Sequence, residues 1–212
     1  LINTYTVIRD DIDALLGVLR HFENNYLALD NDDRKEVYLA KRARFNELKS
    51  KKENRIELAA LMIFLNKTCF NGLYRVNRKG EYNVPMGAYK KPIICNEHNL
   101  KIVSKKLQNV NIVCGDYKKS GDFIDNKTFV YFDPPYRPLT PTASFTSYTE
   151  GMFDDKNQLE LAKFIQELDN KDDNFFDKAY AKQNIRRVSA TRMINRNSDK
   201  RGKINELLIS NF

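Results

Sequence analysis

The stretch TFVYFDPPYRPLT, residues 128–140, joins a short apolar run to a carboxylate, two prolines and a tyrosine. Residues 128–132 are mostly apolar and β-forming, and they predict a buried strand that ends at Asp133. A second apolar run, residues 111–114, likewise ends just before Asp116. Ligands of open α/β sheets bind at the carboxyl ends of the strands. We therefore interpret Asp116 and Asp133 as candidate site residues, with a turn residue or a helix cap as the ordinary alternative for each.

The rest of the chain alternates between helical and strand-like patterns. Apolar residues recur at helical spacing in four segments, which are 1–23, 34–52, 56–65 and 159–168. Two late apolar runs have the pattern of strands, and they cover residues 188–194 and 206–210. This alternation of helices and strands predicts an α/β core.

Charge and cysteine content narrow the class of protein. The 212 residues include 36 Lys and Arg against 28 Asp and Glu, a formal net charge of +8. Such an excess favours a polyanionic partner such as nucleic acid, although a solvated basic surface explains it equally well. Cys69, Cys95 and Cys114 form no C-x-x-C pair, which argues against zinc and against a disulfide framework. We expect no metal site, no membrane partner and reduced cysteines in a cytoplasmic protein.

Residues 70–89 read FNGLYRVNRKGEYNVPMGAY and have the pattern of a β-hairpin around the turn 78–80. Basic residues and aromatic residues are interleaved along this segment and just beyond it; they are Arg75, Arg78, Lys79, Lys90 and Lys91, with Phe70, Tyr74, Tyr82 and Tyr89. Such a mixture suits the phosphates and bases of a nucleic acid. A solvated hairpin whose tyrosines pack on the core is the ordinary alternative.

The tetrapeptide at 133–136 suits one particular chemistry. Two prolines stiffen the loop, which leaves the Asp133 carboxylate and the Pro134 carbonyl as neighbouring acceptors beside the ring of Tyr136. Two acceptors can bind both N–H bonds of an amino group on a planar ring, while the aromatic side chain stacks on that ring. A nucleobase reaches such a pocket only after it is flipped out of the duplex.

The quoted motifs resemble those of a known family. Asp-Pro-Pro-Tyr after an apolar strand is similar to motif IV of the amino-group DNA methyltransferases. With Pro138-Leu139, Thr142-Ala143 and Phe145-Thr146-x-Tyr148, it resembles the Dam-type adenine methyltransferases, which modify GATC. Residues 70–89 resemble the DNA-recognition hairpin of that family, and Arg201-Gly202-Lys203 followed by Glu206 resembles its C-terminal signature. The resemblance runs over essentially the whole chain.

The resemblance implies a role for each matching residue. Asp133 and Pro134 would hold the adenine amino group, and Tyr136 would stack on the flipped base. The residues implied at the S-adenosylmethionine site are Asp116, Tyr117, Phe132 and Asp133. Those implied at double-stranded DNA are Lys67 on a phosphate, Phe70 in the base stack, Asn71 beside it, and Leu73, Arg75, Pro85 and Tyr89 at the outer base pairs.

The resemblance also implies a fold and an organisation into domains. The fold would be a Rossmann-like α/β core with a mostly parallel sheet, together with a helical and β-hairpin recognition lobe. The core would consist of residues 1–22 and 93–212, and the lobe of residues 23–92. A cognate restriction endonuclease is a further implied partner, without a stable complex.

Two features depart from the family pattern. No G-x-G occurs in the sequence, whereas the family has a glycine-rich cofactor loop shortly before the segment that matches Leu1-Ile2-Asn3-x-Tyr5. After residue 168 the family has another apolar strand, but here residues 170–174 read NKDDN. We expect that residues are missing before Leu1 and that Asn170 and Lys171 are not adjacent in the protein.

The sequence thus predicts an adenine N6 DNA methyltransferase that depends on S-adenosylmethionine. Two alternatives stay open at this point. One is a relative that binds DNA without catalysis, and the other is an amino-methyltransferase that acts on a different base or a different site.

Overall fold

A computed structural model describes residues 1–77, 79–125, 127–135, 154–169, 184–191 and 203–210. These residues fall into two compact units. The first unit holds residues 1–116, and the second begins at Tyr117 and contains residues 117–135 and those from 154 onward.

The first unit contains five α-helices, which are α1 (Ile2–Asp10), α2 (Ile12–Leu27), α3 (Asn31–Lys51), α4 (Arg55–Thr68) and α5 (Glu97–Leu107). Polar side chains cap the N-termini of three of these helices. Asp30 caps α3, Asn54 caps α4 and Asn96 caps α5, and each side chain accepts a hydrogen bond from a backbone N–H of the first turn. Such caps satisfy donors that the helix itself leaves unpaired. The helix predicted over residues 1–23 is divided at Asp11 into α1 and α2.

The core of this unit lies between the helices, with α4 at its centre. Phe64 on α4 is fully buried, and its ring meets those of Phe22 and Tyr26 edge-on, with centroids 5.9 and 5.2 Å apart. Lys41 of α3 covers this cluster, because its Nζ lies 3.3 Å from the centroid of the Phe22 ring. The ammonium group thus closes the apolar core from the side of α3 through a cation–π contact.

Helix α3 is also tied to α4 by ion pairs. Arg44 donates to both carboxylate oxygens of Glu57, at 2.9 and 3.0 Å, and to Glu47 at 3.0 Å. The hydrogen bonds that Arg44 donates to Glu57 and, to a smaller extent, to Glu47 raise the pKa of Arg44 above its ordinary value. This bidentate geometry sets the position of α3 relative to α4.

The second unit contains a 3₁₀ segment (Tyr117–Phe123), helix α6 (Asp155–Asp169) and strands β1 (Asn184–Thr191) and β2 (Lys203–Ser210). The strands pair antiparallel, with Asn184 opposite Ser210 and Thr191 opposite Lys203. The two late strands predicted from the sequence are therefore confirmed, although β1 begins and ends earlier than predicted and β2 begins earlier. The polar run 170–174 and the link between Asn170 and Lys171 lie outside the described residues.

The predicted Rossmann-like α/β core with a mostly parallel sheet is wrong for the described residues. They are mainly helical, and their named sheet is the antiparallel pair of β1 and β2. The apolar runs 111–114 and 128–132 form no strand, and Val113, Phe129 and Tyr131 are 49%, 76% and 73% exposed. A strand exists through hydrogen bonds to a neighbour, so local β-propensity does not by itself create a sheet.

No helix among the described residues is long and apolar enough to cross a membrane. The same residues contain no group of three His, Cys, Asp or Glu side chains arranged to hold a metal ion.

Candidate functional site

The segment 70–89 folds back on itself as a hairpin with few ladder bonds. Isolated antiparallel bridges join Cys69 to Met86 and Val76 to Tyr82. Around the second bridge, the Asn77 N–H donates to the Glu81 carbonyl at 2.8 Å. The predicted hairpin connectivity is confirmed, but neither leg is a continuous strand.

The turn at the tip of this hairpin is organised by Asn77. Its Oδ1 accepts the backbone N–H groups of Lys79 and Glu81, at 2.9 and 3.0 Å, and its carbonyl accepts the N–H of Gly80 at 2.9 Å. Gly80 has φ of +75°, a conformation that glycine adopts without steric cost. An Asn side chain that bonds to the backbone two residues ahead is a common turn device.

The second leg of the hairpin lies against α3. The Tyr38 hydroxyl and the Arg42 guanidinium donate to the Val84 carbonyl, at 2.8 and 3.2 Å. Asn46 bonds to both backbone groups of Tyr82, and the Lys49 ammonium donates to the Gly80 carbonyl at 2.6 Å. Side chains on one face of a helix therefore replace the neighbouring strand that this leg lacks.

Sequence reasoning missed the role of these α3 side chains. The apolar spacing of the segment 34–52 predicts helical structure but assigns no contact to its polar residues. The missed signal is the spacing of hydrogen-bonding residues at 38, 42, 46 and 49, which follows the helical repeat. Spacing alone does not show whether such side chains meet water or backbone.

Burial perturbs the titration of two tyrosines at this contact. Burial raises the pKa of the Tyr38 hydroxyl to about 12. It also raises the pKa of Tyr82, whose hydroxyl donates to the Leu73 carbonyl at 3.3 Å. Both phenols are therefore neutral donors at physiological pH.

The hairpin and the end of α4 expose most of the predicted DNA-binding residues to solvent. Six of the seven are exposed and Leu73 is half-buried; the exposed ones are Lys67, Phe70, Asn71, Arg75, Pro85 and Tyr89. The Phe70 N–H donates to the Pro85 carbonyl at 2.9 Å, so these two residues lie side by side. The structure thus places the predicted set on one hairpin and its supporting helix end.

Arg75 is held by its neighbour across the hairpin. Its Nε donates to Asn83 Oδ1 at 2.8 Å, and its Nη2 donates to the Asn83 carbonyl at 3.2 Å. These bonds use the side edge of the guanidinium. The end edge, formed by Nη1 and the second hydrogen of Nη2, makes no hydrogen bond recorded among the described residues, so it presents two parallel donors.

Gly87 shows how closely the base of the hairpin is packed. Its N–H donates to the Thr68 carbonyl at 2.8 Å. A Cβ at this position would lie 2.6 Å from the ring of Tyr89 and 2.7 Å from the Cys69 carbonyl. The absence of a side chain at Gly87 therefore lets the Tyr89 ring pack closely against the backbone next to α4.

The other predicted site residues are described unit by unit. Asp116 is exposed at the end of the first unit. In the second unit, the rings of Tyr117 and Phe132 both pack against Phe164 of α6, with centroids 5.4 and 6.2 Å away. These contacts bring two of the predicted cofactor residues onto one aromatic cluster.

The acceptor motif follows this cluster in the chain. Asp133 is exposed, and Pro134 and Pro135 are half-buried. The sheet edge that was predicted to carry Asp116 and Asp133 is not formed by the described residues. Tyr136 lies outside the described residues, as does Arg78 of the hairpin turn.

Comparison with known proteins gives a consistent picture. Residues 1–194 match the family described as D12 class N6 adenine-specific DNA methyltransferase. The type II methyltransferase M.MjaIII of Methanocaldococcus jannaschii is 48% identical over 98% of this chain and 75% of its own length. The DNA adenine methylases of Haemophilus influenzae and Escherichia coli (strain K12) are each 33% identical over 98% of this chain, covering 73% and 74% of their lengths.

Proposed function

The chain belongs to the D12 class of N6 adenine-specific DNA methyltransferases, and from that premise we propose that it methylates the adenine of GATC after flipping it out of the duplex. DNA is the substrate and adenine is the methylated base, as the family establishes. The choice of GATC is supported by the hairpin, whose sequence resembles the recognition hairpin of Dam-type enzymes. The observation that carries the proposal is the exposed Arg75 side chain, which Asn83 holds with its end edge unoccupied.

Base recognition follows from the chemistry of the exposed hairpin. Two parallel donors of Arg75 match the O6 and N7 acceptors of guanine in the major groove. Pro85 is exposed and offers an apolar surface for a thymine methyl group, and the resemblance assigns Leu73 and Tyr89 to the outer base pairs as well. Phe70 is 50% exposed, so its ring is available to fill the space that a flipped base leaves. Lys67 and Asn71 beside it suit the phosphate backbone.

S-adenosylmethionine is the proposed methyl donor, and the residues present fit part of its site. The packing of Tyr117 and Phe132 on Phe164 provides an aromatic wall suited to the purine ring of the cofactor. By the family resemblance, Asp116 would meet the adenine of the cofactor, and Asp133 would lie beside its methionine part. When bound, the cofactor supplies an electrophilic methyl group on a sulfonium.

The proposed contribution of Asp133 and Pro134 is to hold the amino group of adenine. The carboxylate and the carbonyl each accept one N–H of that group, which draws its lone pair out of conjugation with the ring. Tyr136 stacks on the base and fixes the plane of the ring. These residues stabilise positive charge as it develops on nitrogen, and they orient the nitrogen for attack.

A restriction assay tests this function directly. Plasmid DNA is incubated with the protein and S-adenosylmethionine and then digested with GATC-cutting enzymes of opposite methylation sensitivity. We expect the treated DNA to resist the enzyme that methylation blocks and to be cut by the enzyme that requires methylation. DNA treated with Asp133→Ala should instead be cut as untreated DNA is.

Two other results would redirect the proposal. Labelled methyl incorporation into DNA without GATC protection would show a different target site, and nucleoside analysis would identify the methylated base. DNA binding without any incorporation would instead favour a relative that binds but does not catalyse.

A further inference from the structure

The amide side chain of Asn46 pairs with the backbone of the hairpin as a neighbouring strand would. Its Oδ1 accepts the Tyr82 N–H at 2.8 Å, and its Nδ2 donates to the Tyr82 carbonyl at 3.1 Å. The bonds between the legs are made by the flanking residues instead, since the Asn83 N–H donates to the Arg75 carbonyl at 3.1 Å. Both backbone groups of Tyr82 therefore point to α3, and Asn46 satisfies them together.

The contact has a fixed register along the helix. Tyr38 meets the carbonyl of Val84, Asn46 meets Tyr82, and Lys49 meets the carbonyl of Gly80. Alternate residues of the leg, at 80, 82 and 84, are thus bonded to successive turns of α3. A shift of the leg by one residue would break these bonds together, because the intervening carbonyls face the other way.

The base-reading side chain depends on this register. Asn83, which orients Arg75, lies between Tyr82 and Val84, and α3 holds both of these residues. Asn46 itself is half-buried, and it bonds to the edge of the second leg through both backbone groups of Tyr82. It can therefore affect the position of Arg75 through Tyr82 and Asn83.

We propose that Asn46 is a positioning residue for sequence discrimination, and that it acts by setting the register of residues 80–84 on α3. The inference rests on the proposed base readout by the hairpin. It assigns discrimination between DNA sequences to a helix that bonds to the backbone of the second leg, with Tyr38 as the secondary contact.

The variant Asn46→Ala tests this role. It leaves both backbone groups of Tyr82 without their partner, while the Arg44–Glu57 pair still holds α3 on α4. We measure kcat and KM on a GATC duplex and on duplexes with one outer base pair changed. The expected result is a 5- to 30-fold fall in the ratio of kcat/KM between cognate and changed duplexes. Most of this change should lie in KM, because the chemical groups are untouched.

Matched variants distinguish this positioning role from a contribution to folding stability alone. Asn25→Ala removes an exposed Asn of α2 whose recorded bond is to His21, and it should leave the ratio unchanged. Tyr38→Phe keeps the buried ring and removes the bond to Val84, so it should lower the ratio less than Asn46→Ala does. Should Asn46→Ala fail to fold, Tyr38→Phe decides the question by the same ratio.

Two outcomes would overturn the inference, and Arg75→Ala tells them apart. If Arg75→Ala loses discrimination while the folded α3 variants keep the parent ratio, base readout stands and Asn46 serves only stability. If Arg75→Ala also keeps the parent ratio, base readout by the hairpin is itself wrong, and the positioning role fails with it.

Discussion

The hairpin 70–89 and the segment 128–135 carry the two halves of the proposed function, and the structure supports them in different ways. In the hairpin, Val76, Tyr82 and Val84 are buried, and α3 donates to the backbone of the second leg. In the segment, Phe129 and Tyr131 are more than 70% exposed. At its start, Thr128 Oγ1 donates to Asp125 Oδ1 at 2.6 Å, a bond within the same loop.

This difference indicates how activity and stability are coupled in each region. A side chain that reads bases must keep its position before DNA arrives, so its support is built into the fold. An exposed acceptor such as Asp133 contributes little to stability, so its replacement should affect chemistry alone. Changes in the hairpin should instead alter stability and recognition together.

Replacement of Asp133 should have the largest effect on activity. It tests the difference between the two regions most directly, because it should change catalysis without changing stability. We expect Asp133→Ala to lower kcat by 10³-fold or more, as loss of a group that stabilises developing charge does, about 4 kcal/mol. Unfolding free energy should change by less than about 0.5 kcal/mol, because the side chain is exposed. The measurement is the rate of methyl transfer by the parent and the variant, together with their melting temperatures, which should agree. A variant with near-parental kcat would contradict the assigned role.

High pH should weaken the hairpin contact through its buried phenols. The folded-state pKa of Tyr38 is about 12, above the ordinary value of 10, so its contribution is complete below pH 10 and is lost as pH rises towards 12. We expect up to about 2–3 kcal/mol of unfolding free energy to be lost over that interval. Denaturant titrations from pH 8 to pH 12 measure it.

The matched variant for this pH effect is Tyr38→Phe. It should show a shallower decline between pH 10 and pH 12, with the remainder due to Tyr82, whose pKa burial also raises. Equal slopes for the parent and the variant would mean that Tyr38 does not couple ionisation to folding.

Removal of the reading side chain should have a moderate and selective effect. Arg75→Ala should lose roughly 1–3 kcal/mol of discrimination at one guanine, since a bidentate base contact disappears. Binding titrations on GATC and on singly substituted duplexes measure the loss. An equal loss on every duplex would show that Arg75 serves as a phosphate contact instead.

The smallest effect should come from Lys67, which lies in the last turn of α4 next to the hairpin. Lys67→Ala should weaken binding to all duplexes and reduce the slope of log K against log salt by about one contact, near 0.9. Titrations at several salt concentrations give the slope. A sequence-dependent loss without a change of slope would place Lys67 at a base rather than at a phosphate.

Short-range patterns in the sequence were sufficient for several features. The helical segments and the hairpin turn that ends at Gly80 are confirmed, because each depends on residues that are neighbours in the chain or one helical turn apart. The late strands are confirmed as well, and they pair with each other across a short connection. The resemblance to adenine methyltransferases is also confirmed, since it rests on the identity of residues rather than on their packing. The roles of Asp133 and of the exposed hairpin residues stay predictions until they are tested.

Only the tertiary structure decided which apolar runs become strands and which polar residues support the hairpin. Residues 128–132 have the composition of a buried strand, yet they do not form one in the described structure, because pairing is a property of two segments rather than one. Asn46 is a polar residue of a highly charged helix, where solvent exposure is the ordinary expectation, yet its side chain bonds to the backbone of Tyr82, 36 positions away. Hydrogen bonds between distant segments depend on how the elements pack, and the periodicity of a single segment does not predict that packing.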